Sequence, residues 1–363
     1  GNVGDNLLMP LKTSPKTVLW DPKKIDRATI EAQRSGNSPD STRADWLDPE
    51  LAGLTTTEDV GKFWYEITTA LGTANIIFER MLNSRMDPER HPELARRIVG
   101  LRDKVHERLV AEGLDRVVYR FDPDTFNPAV PLGGNLMFAA PTRDISQQGL
   151  VAERAFLAMV MDQGLAAQGI AISQTLVETL HETFGMDGTE HPLFTALGID
   201  ESLYERLVDI AARRREQGDE ALSEEEFALL LTVPFAFTAE QIGPSFPETF
   251  KQEIMRIRKT KGAQLRDQVR DLFIPIEPEN YLPRLTILEN LLYGRISSMA
   301  GLQADLVRDV VAQVLEENDL RQMISINLFD EETAIGGANL PAAFQQRAAF
   351  GRAAVSYTHL TLP

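Results

Sequence analysis

The chain reads as mainly α with a few short strands. Three observations predict this. Apolar residues recur at three- and four-residue spacing through most of the chain after residue 57, the period of a buried helix face. Two helix-start signals, Ser223 with Glu226 and Thr238 with Gln241, stand among such stretches. The strand-like run, Asp115-Arg-Val-Val-Tyr-Arg-Phe121, is short and partly β-branched.

Taken in order, residues 1–56 read as an irregular connector, since 9–50 are rich in Pro, Ser, Asp and Lys with little apolar periodicity. Residues 57–145 hold a helical pair and the short strand. Val60, Phe63, Trp64, Ile67, Leu71, Ala74, Ile77 and Met81 line one predicted helix, and Leu94, Ile98, Leu101, Val105 and Leu109 line its partner. Pro92 suits the first turn of the second helix and Gly113 its end. Residues 146–270 form a helical block: 150–169, 170–184, 201–215, the stretch after Ser223, and 250–270. The basic residues of the last, Lys251, Arg256, Arg258, Lys259 and Lys261, read as a solvated face. In 271–354, Leu302–Glu317 and Leu320–Ile326 are further helices. Residues 355–363 read as a non-native tail, and the start reads as the middle of a longer protein.

Composition excludes several classes of function. With 363 residues, 43% of them hydrophobic, the chain can bury a sizeable core. Its 37 basic and 54 acidic residues give a formal charge of −17, which opposes broad attraction to nucleic acid or anionic lipid. The absence of cysteine removes disulfides and thiolate metal sites, and fits a reducing cytoplasm. The most apolar long stretch, Ala155–Ile172, contains Asp162, Gln163 and Gln168 and falls short of the roughly 20 apolar residues of a bilayer span.

One pattern repeats. Val3-Gly-Asp-Asn6-Leu-Leu-Met9, Leu132-Gly-Gly-Asn135-Leu-Met-Phe138 and Ile287-Leu-Glu-Asn290-Leu-Leu-Tyr293 share an apolar residue, two others, Asn and three apolar residues. The second and third copies also share an approach of acid, Pro, acid and aromatic: Asp122-Pro-Asp-Thr-Phe126 and Glu277-Pro-Glu-Asn-Tyr281.

The approach and repeat resemble the passage of ABC-transporter ATPases from the glutamine loop, Q-D-P-x-x-F, into E-N-L-x-x-G; Glu289-Asn-Leu-Leu-Tyr-Gly294 is the nearest copy. About fifty residues on, Thr333–Ala353 resembles the family's signature region, T-x-x-G-x-x-G-x-x-L-S-G-G-Q-x-Q-R-x-A-x-A-R-A. Leu340, Gln346, Arg347, Ala349, Arg352 and Ala353 fall on that pattern, while Pro341, Ala342, Ala343 and Phe344 replace its Ser-Gly-Gly-Gln centre. The resemblance implies the helical subdomain of a P-loop ABC ATPase at 271–354, a partial cassette-like segment at 1–12, and a large helical insertion at 146–270.

It further implies ATP and Mg²⁺ in the full-length protein, a second nucleotide-binding subunit as dimer partner, and a permease at the cytoplasmic face of the inner membrane. Leu340, Pro341, Ala342, Ala343 and Gln346 are the residues it turns towards nucleotide; Arg347 and Arg352 would fix the helix by ion pairs. In the family the Ser hydroxyl and Gly N–H groups at a helix N-terminus face a γ-phosphate. Pro341 lacks both groups, and the alanines add methyls where close backbone approach is wanted. Phe121 and Ile276 occupy the glutamine position, and the chain contains no G-x-x-x-x-G-K-[ST] loop. The fragment alone is therefore expected not to hydrolyse ATP. The rival reading is a non-enzymatic, acidic helical interaction or regulatory protein with eroded cassette features. No zinc-protease spacing accompanies His181 and His191, and Asp122-Pro-Asp124 reads as a turn.

Overall fold

The computed structural model describes residues 2–15, 27–38, 40, 44–70, 72–143, 147–191, 194, 197, 199–243, 246–334, 345, 349 and 353. It is mainly helical and divides into two units, one of residues 1–84 with 315–363, the other of 85–314. The predicted boundaries at 145 and 270 do not fall between these units. The 146–270 block shares one core with both flanking strand segments, because its apolar faces close over Leu132, Leu136, Met137 and Phe273.

In the first unit, α1 (Val3–Leu7) and α2 (Arg27–Ser35) lie in the predicted connector. The helix predicted over 60–81 is two helices, α3 (Thr57–Ala70) and α4 (Ala74–Leu82), broken where Gly72 adopts φ 69°. Leu8, Leu11, Ala52 and Val60 form a small core, and Trp64 packs edge-on to Phe329 at 4.9 Å.

In the second unit the predicted 94–109 helix is likewise two, α5 (Pro92–Gly100) and α6 (Arg102–Ala111), with Pro92 in the first turn as expected. β1 (Val118–Arg120), α7 (Leu132–Met137) and β2 (Ala139–Pro141) follow. The helical block comprises α8 (Gln147–Val151), α9 (Arg154–Asp162), α10 (Ala166–Phe184), α11 (Glu201–Gln217), α12 (Glu224–Ala236), α13 (Ala239–Ile242) and α14 (Glu248–Gln268). Then come β3 (Phe273–Pro275), α15 (Ile287–Leu292), β4 (Gly294–Ile296) and α16 (Gln303–Glu316), whose last residues lie in the first unit with α17 (Arg321–Ile326). Among the described residues no single helix is long and apolar enough to cross a membrane; α9 and α10 pass that test only as a pair bent by 107°.

Both predicted capping boxes form. Ser223 Oγ accepts from the Glu226 N–H at 3.3 Å, and Glu226 in turn accepts from the Ser223 N–H at 2.9 Å and pairs with Arg213. The Arg213 guanidinium and then the Ser223 N–H hold the Glu226 carboxyl down at about 2. A depressed carboxyl stabilises the fold above its unfolded value, and that contribution is lost as pH falls through the folded one. Acid unfolding should therefore show lost stability between about 4.5 and 2, and Glu226→Gln should flatten that part of the profile.

Pro234 lies inside α12 and supplies no N–H to Leu230 O, its partner one turn earlier. Ser173 of α10 fills the gap: its hydroxyl, wholly buried, donates to Leu230 O at 2.6 Å. Ser173→Ala should cost about 1–2 kcal/mol by leaving that carbonyl dry and unpaired. Adding Pro234→Ala, which restores an N–H, should recover part of the loss in chemical denaturation.

Candidate functional site

The second and third copies of the repeat build one site together. β1, α7 and β2 match β3, α15 and β4 at one constant offset, and the strands pair crosswise. β1 runs antiparallel to β4 with Tyr119 opposite Arg295, and β2 antiparallel to β3 with Ala140 opposite Ile274. The copies are thus related by a pseudo-twofold. At Gly294 the β1 backbone comes so close that a Cβ would sit 2.4 Å from Tyr119 O.

In these two copies the repeat asparagine is buried and organises its own approach loop. Asn135 Oδ1 accepts from the Asn127 N–H at 2.9 Å while its Nδ2 donates to Asn127 O and Val130 O, both at 2.8 Å. Asn290 repeats this with the Leu282 N–H at 2.8 Å, Leu282 O at 2.9 Å and Leu285 O at 3.3 Å. A buried amide with every arm engaged pins a loop that lacks secondary structure of its own.

An arginine then clamps each assembly. Arg258 of α14 donates to the Asn135 backbone oxygen, to Asn135 Oδ1 at 3.0 Å, and to Pro123 O and Thr125 O at 3.0 and 2.8 Å. Arg102 of α6 makes the matching set with Asn290 O at 2.8 Å, Asn290 Oδ1 at 3.2 Å, Asn280 O at 2.9 Å and Pro278 O. Both arginines are over nine-tenths buried, so Arg258 is not part of a solvated face as its basic surroundings suggest. Its fork satisfies carbonyls that the acid-Pro loops leave unpaired. Burial pulls both guanidinium groups down, Arg258 to about 10, still well above neutrality, so the clamps stay charged. Each stacks on the aromatic that ends the short helix it clamps, Arg102 over Tyr293 at 4.6 Å and Arg258 over Phe138 at 5.6 Å. Those two aromatics adopt left-handed φ of 44° and 50°.

The loops so held present Asp122, Asp124, Glu277 and Glu279 to solvent. Asp122-Pro-Asp124 is the expected turn, with Asp122 Oδ1 accepting from the Asp124 N–H at 2.8 Å. Phe121 and Ile276, at the glutamine position, are buried together beside the pseudo-twofold. They line a cavity of about 100 Å³ with Val130, Ala140, Leu285 and Arg295. Ligand pockets start at roughly 300 Å³, so this space does not accommodate a nucleotide. Gly134 also lines it; the other copy carries Glu289 in place of Gly134 and Arg295 in place of Ala140. That pair is 3.0 Å apart but off the hydrogen-bond axis at Arg295 Nε, so its attraction is electrostatic.

Leu340, Pro341, Ala342, Ala343 and Gln346 lie outside the described residues, as does Arg352. The chain nonetheless contains a described counterpart to their segment. Pro247, Phe250, Gln252 and Arg258 recur at the spacing of Pro341, Phe344, Gln346 and Arg352, with Phe246 matching Leu340. In that counterpart Phe246 and Phe250 are buried, whereas Pro247, Glu248, Thr249 and Gln252 are exposed at the start of α14. A Pro-to-Arg stretch also leads to Arg102 from Pro92. That stretch is one residue shorter than the one from Pro247 to Arg258, so the two clamps share a helix-starting proline upstream rather than a fixed spacing. No group of His, Cys, Asp and Glu among the described residues is arranged to hold a metal ion.

No family model, curated protein or solved structure matches the chain.

Proposed function

We propose that the chain is part of an ABC-transporter nucleotide-binding subunit, contributing a helical signature subdomain that couples ATP bound by a dimer partner to a permease. The observation that carries this reading is the Arg258 clamp. It ties α14, whose N-terminal half parallels the signature-like segment, directly to the carbonyls of an acid-Pro loop. A subunit that transmits force between a permease-facing loop and a nucleotide-facing helix needs such a stiff link. Leu340, Pro341, Ala342, Ala343 and Gln346 would face the partner's nucleotide, with Mg²⁺ and the phosphates held by segments of the full-length protein. The chain alone would not hydrolyse ATP.

The test is equilibrium binding of fluorescent Mg·ATP to the whole natural protein. Micromolar binding that weakens at least tenfold on Ala342→Asp, which sets a carboxylate against phosphate, supports the reading. Absence of binding at millimolar nucleotide favours the second reading, a non-enzymatic interaction protein. One observation speaks for that alternative: Met299 and Leu302, 82% and 85% exposed, form with Leu306 an apolar stripe at the start of α16.

A further inference from the structure

We propose that the cavity beside the pseudo-twofold binds a small, uncharged, largely apolar molecule carrying one hydrogen-bond-accepting oxygen, a short ketone or ester, with Arg295 as the donor. This site stands apart from the ATP reading, since its residues all lie in the second unit and outside the signature-like segment. The cavity is not symmetric about the pseudo-twofold. The second copy contributes Pro131, Gly134 and Pro141 to its wall, whereas Thr286, Glu289 and Ile296, their counterparts in the third copy, are not among the described lining residues.

Two features distinguish it from a packing gap. Ala140 matches Arg295 of the third copy, so a strand position that carries a long side chain in one half carries only a methyl in the other. An apolar cavity left in this way weakens the fold, because its lining loses packing partners. The second feature is unused donor capacity on the one charged residue among the described lining. Arg295 Nη1 donates to Ala129 O at 3.1 Å. Nε is buried without a hydrogen bond, and no described residue accepts from Nη2, which is not shut away as Nε is.

Charge and volume narrow the ligand. The Glu289 carboxylate lies 3.0 Å from Arg295 Nε and already balances its charge. An incoming carboxylate would meet Glu289 as well as Arg295, so a neutral oxygen is the better acceptor. The volume, about 100 Å³, compares with the roughly 150 Å³ in which an apolar cavity binds benzene, and so sets the ligand at about four carbons.

The test is saturation-transfer NMR on the full chain with butanone as the probe. Saturable transfer is expected with a dissociation constant of about a millimolar, as so few atoms allow. Propionate, equal in size but anionic, should bind about tenfold more weakly. Ala140→Leu, which fills the space, should abolish the saturable signal. Arg295→Met, which keeps an apolar stem but removes every donor, should weaken binding about fivefold. Circular dichroism checks that each variant is folded; should Ala140→Leu fail to fold, Ala236→Leu narrows the same cavity from α12. Absence of saturable transfer to the unsubstituted chain at high millimolar butanone, or a signal unchanged by the filling variant, would overturn the site. Propionate binding as tightly as butanone, or full affinity in Arg295→Met, would overturn the neutral acceptor at Arg295.

Discussion

Arg258→Met lowers the stability of the second unit by about 3–5 kcal/mol, the range for breaking a buried charged network from one side. Methionine fills much of the arginine stem but returns no donor to Pro123 O, Thr125 O, Asn135 O or Asn135 Oδ1. These acceptors are left in a site that water reaches poorly. Calorimetric unfolding measures the loss, and amide exchange locates it, with protection falling at 121–138 before it falls in α10. A change below 1 kcal/mol would mean that water replaces the clamp and that the loop is held by Asn135 alone.

Asn290→Leu is nearly as costly, about 3 kcal/mol, for a different reason. The side chain is of similar size, so little cavity forms, but the Leu282 N–H, Leu282 O and Arg102 Nη2 each lose a partner. Because Arg102 and Asn290 serve one network, Arg102→Met added to Asn290→Leu should cost much less than the two singles together. Additive losses would show that Arg102 acts through Tyr293 and the loop carbonyls rather than through the amide.

Local signals in the sequence were largely sufficient for local structure. Ser223–Glu226, Thr238–Gln241 and Pro92 announce helix starts that depend on neighbouring residues alone, and α16 and α17 fall where their apolar spacing places them. Periodicity failed at the breaks between α3 and α4 and between α5 and α6, since an apolar stripe continues across a change of helix axis. The repeat was visible, but its crosswise pairing was not: nothing within Val118–Arg120 says that its partner is Gly294–Ile296. The arginine clamps were hidden for a related reason. A guanidinium bound to backbone carbonyls needs no acidic residue at a readable spacing, so Arg258 looks like its exposed neighbours Arg256 and Lys259. The nucleotide-facing candidates fall outside the described residues, and Phe246, Pro247 and Gln252 stand as their nearest guide.

Crosswise pairing also imposes an order on synthesis. β1 is made long before β4, since residue 118 must await residue 296, and β2 waits likewise for β3. At a translation rate of about 5–20 residues per second the delay for β1 is roughly ten to thirty-five seconds. Throughout that interval a strand edge and a loop organised by Asn135 face the cell without their intended neighbours, and Asn135 has no clamp until α14 emerges. Two ribosomes on one message would carry first copies whose missing complement is the late half of the same sequence. The nascent chain is thus exposed to exchange of halves between molecules, a route to entangled dimers that a protein with sequential pairing would not face.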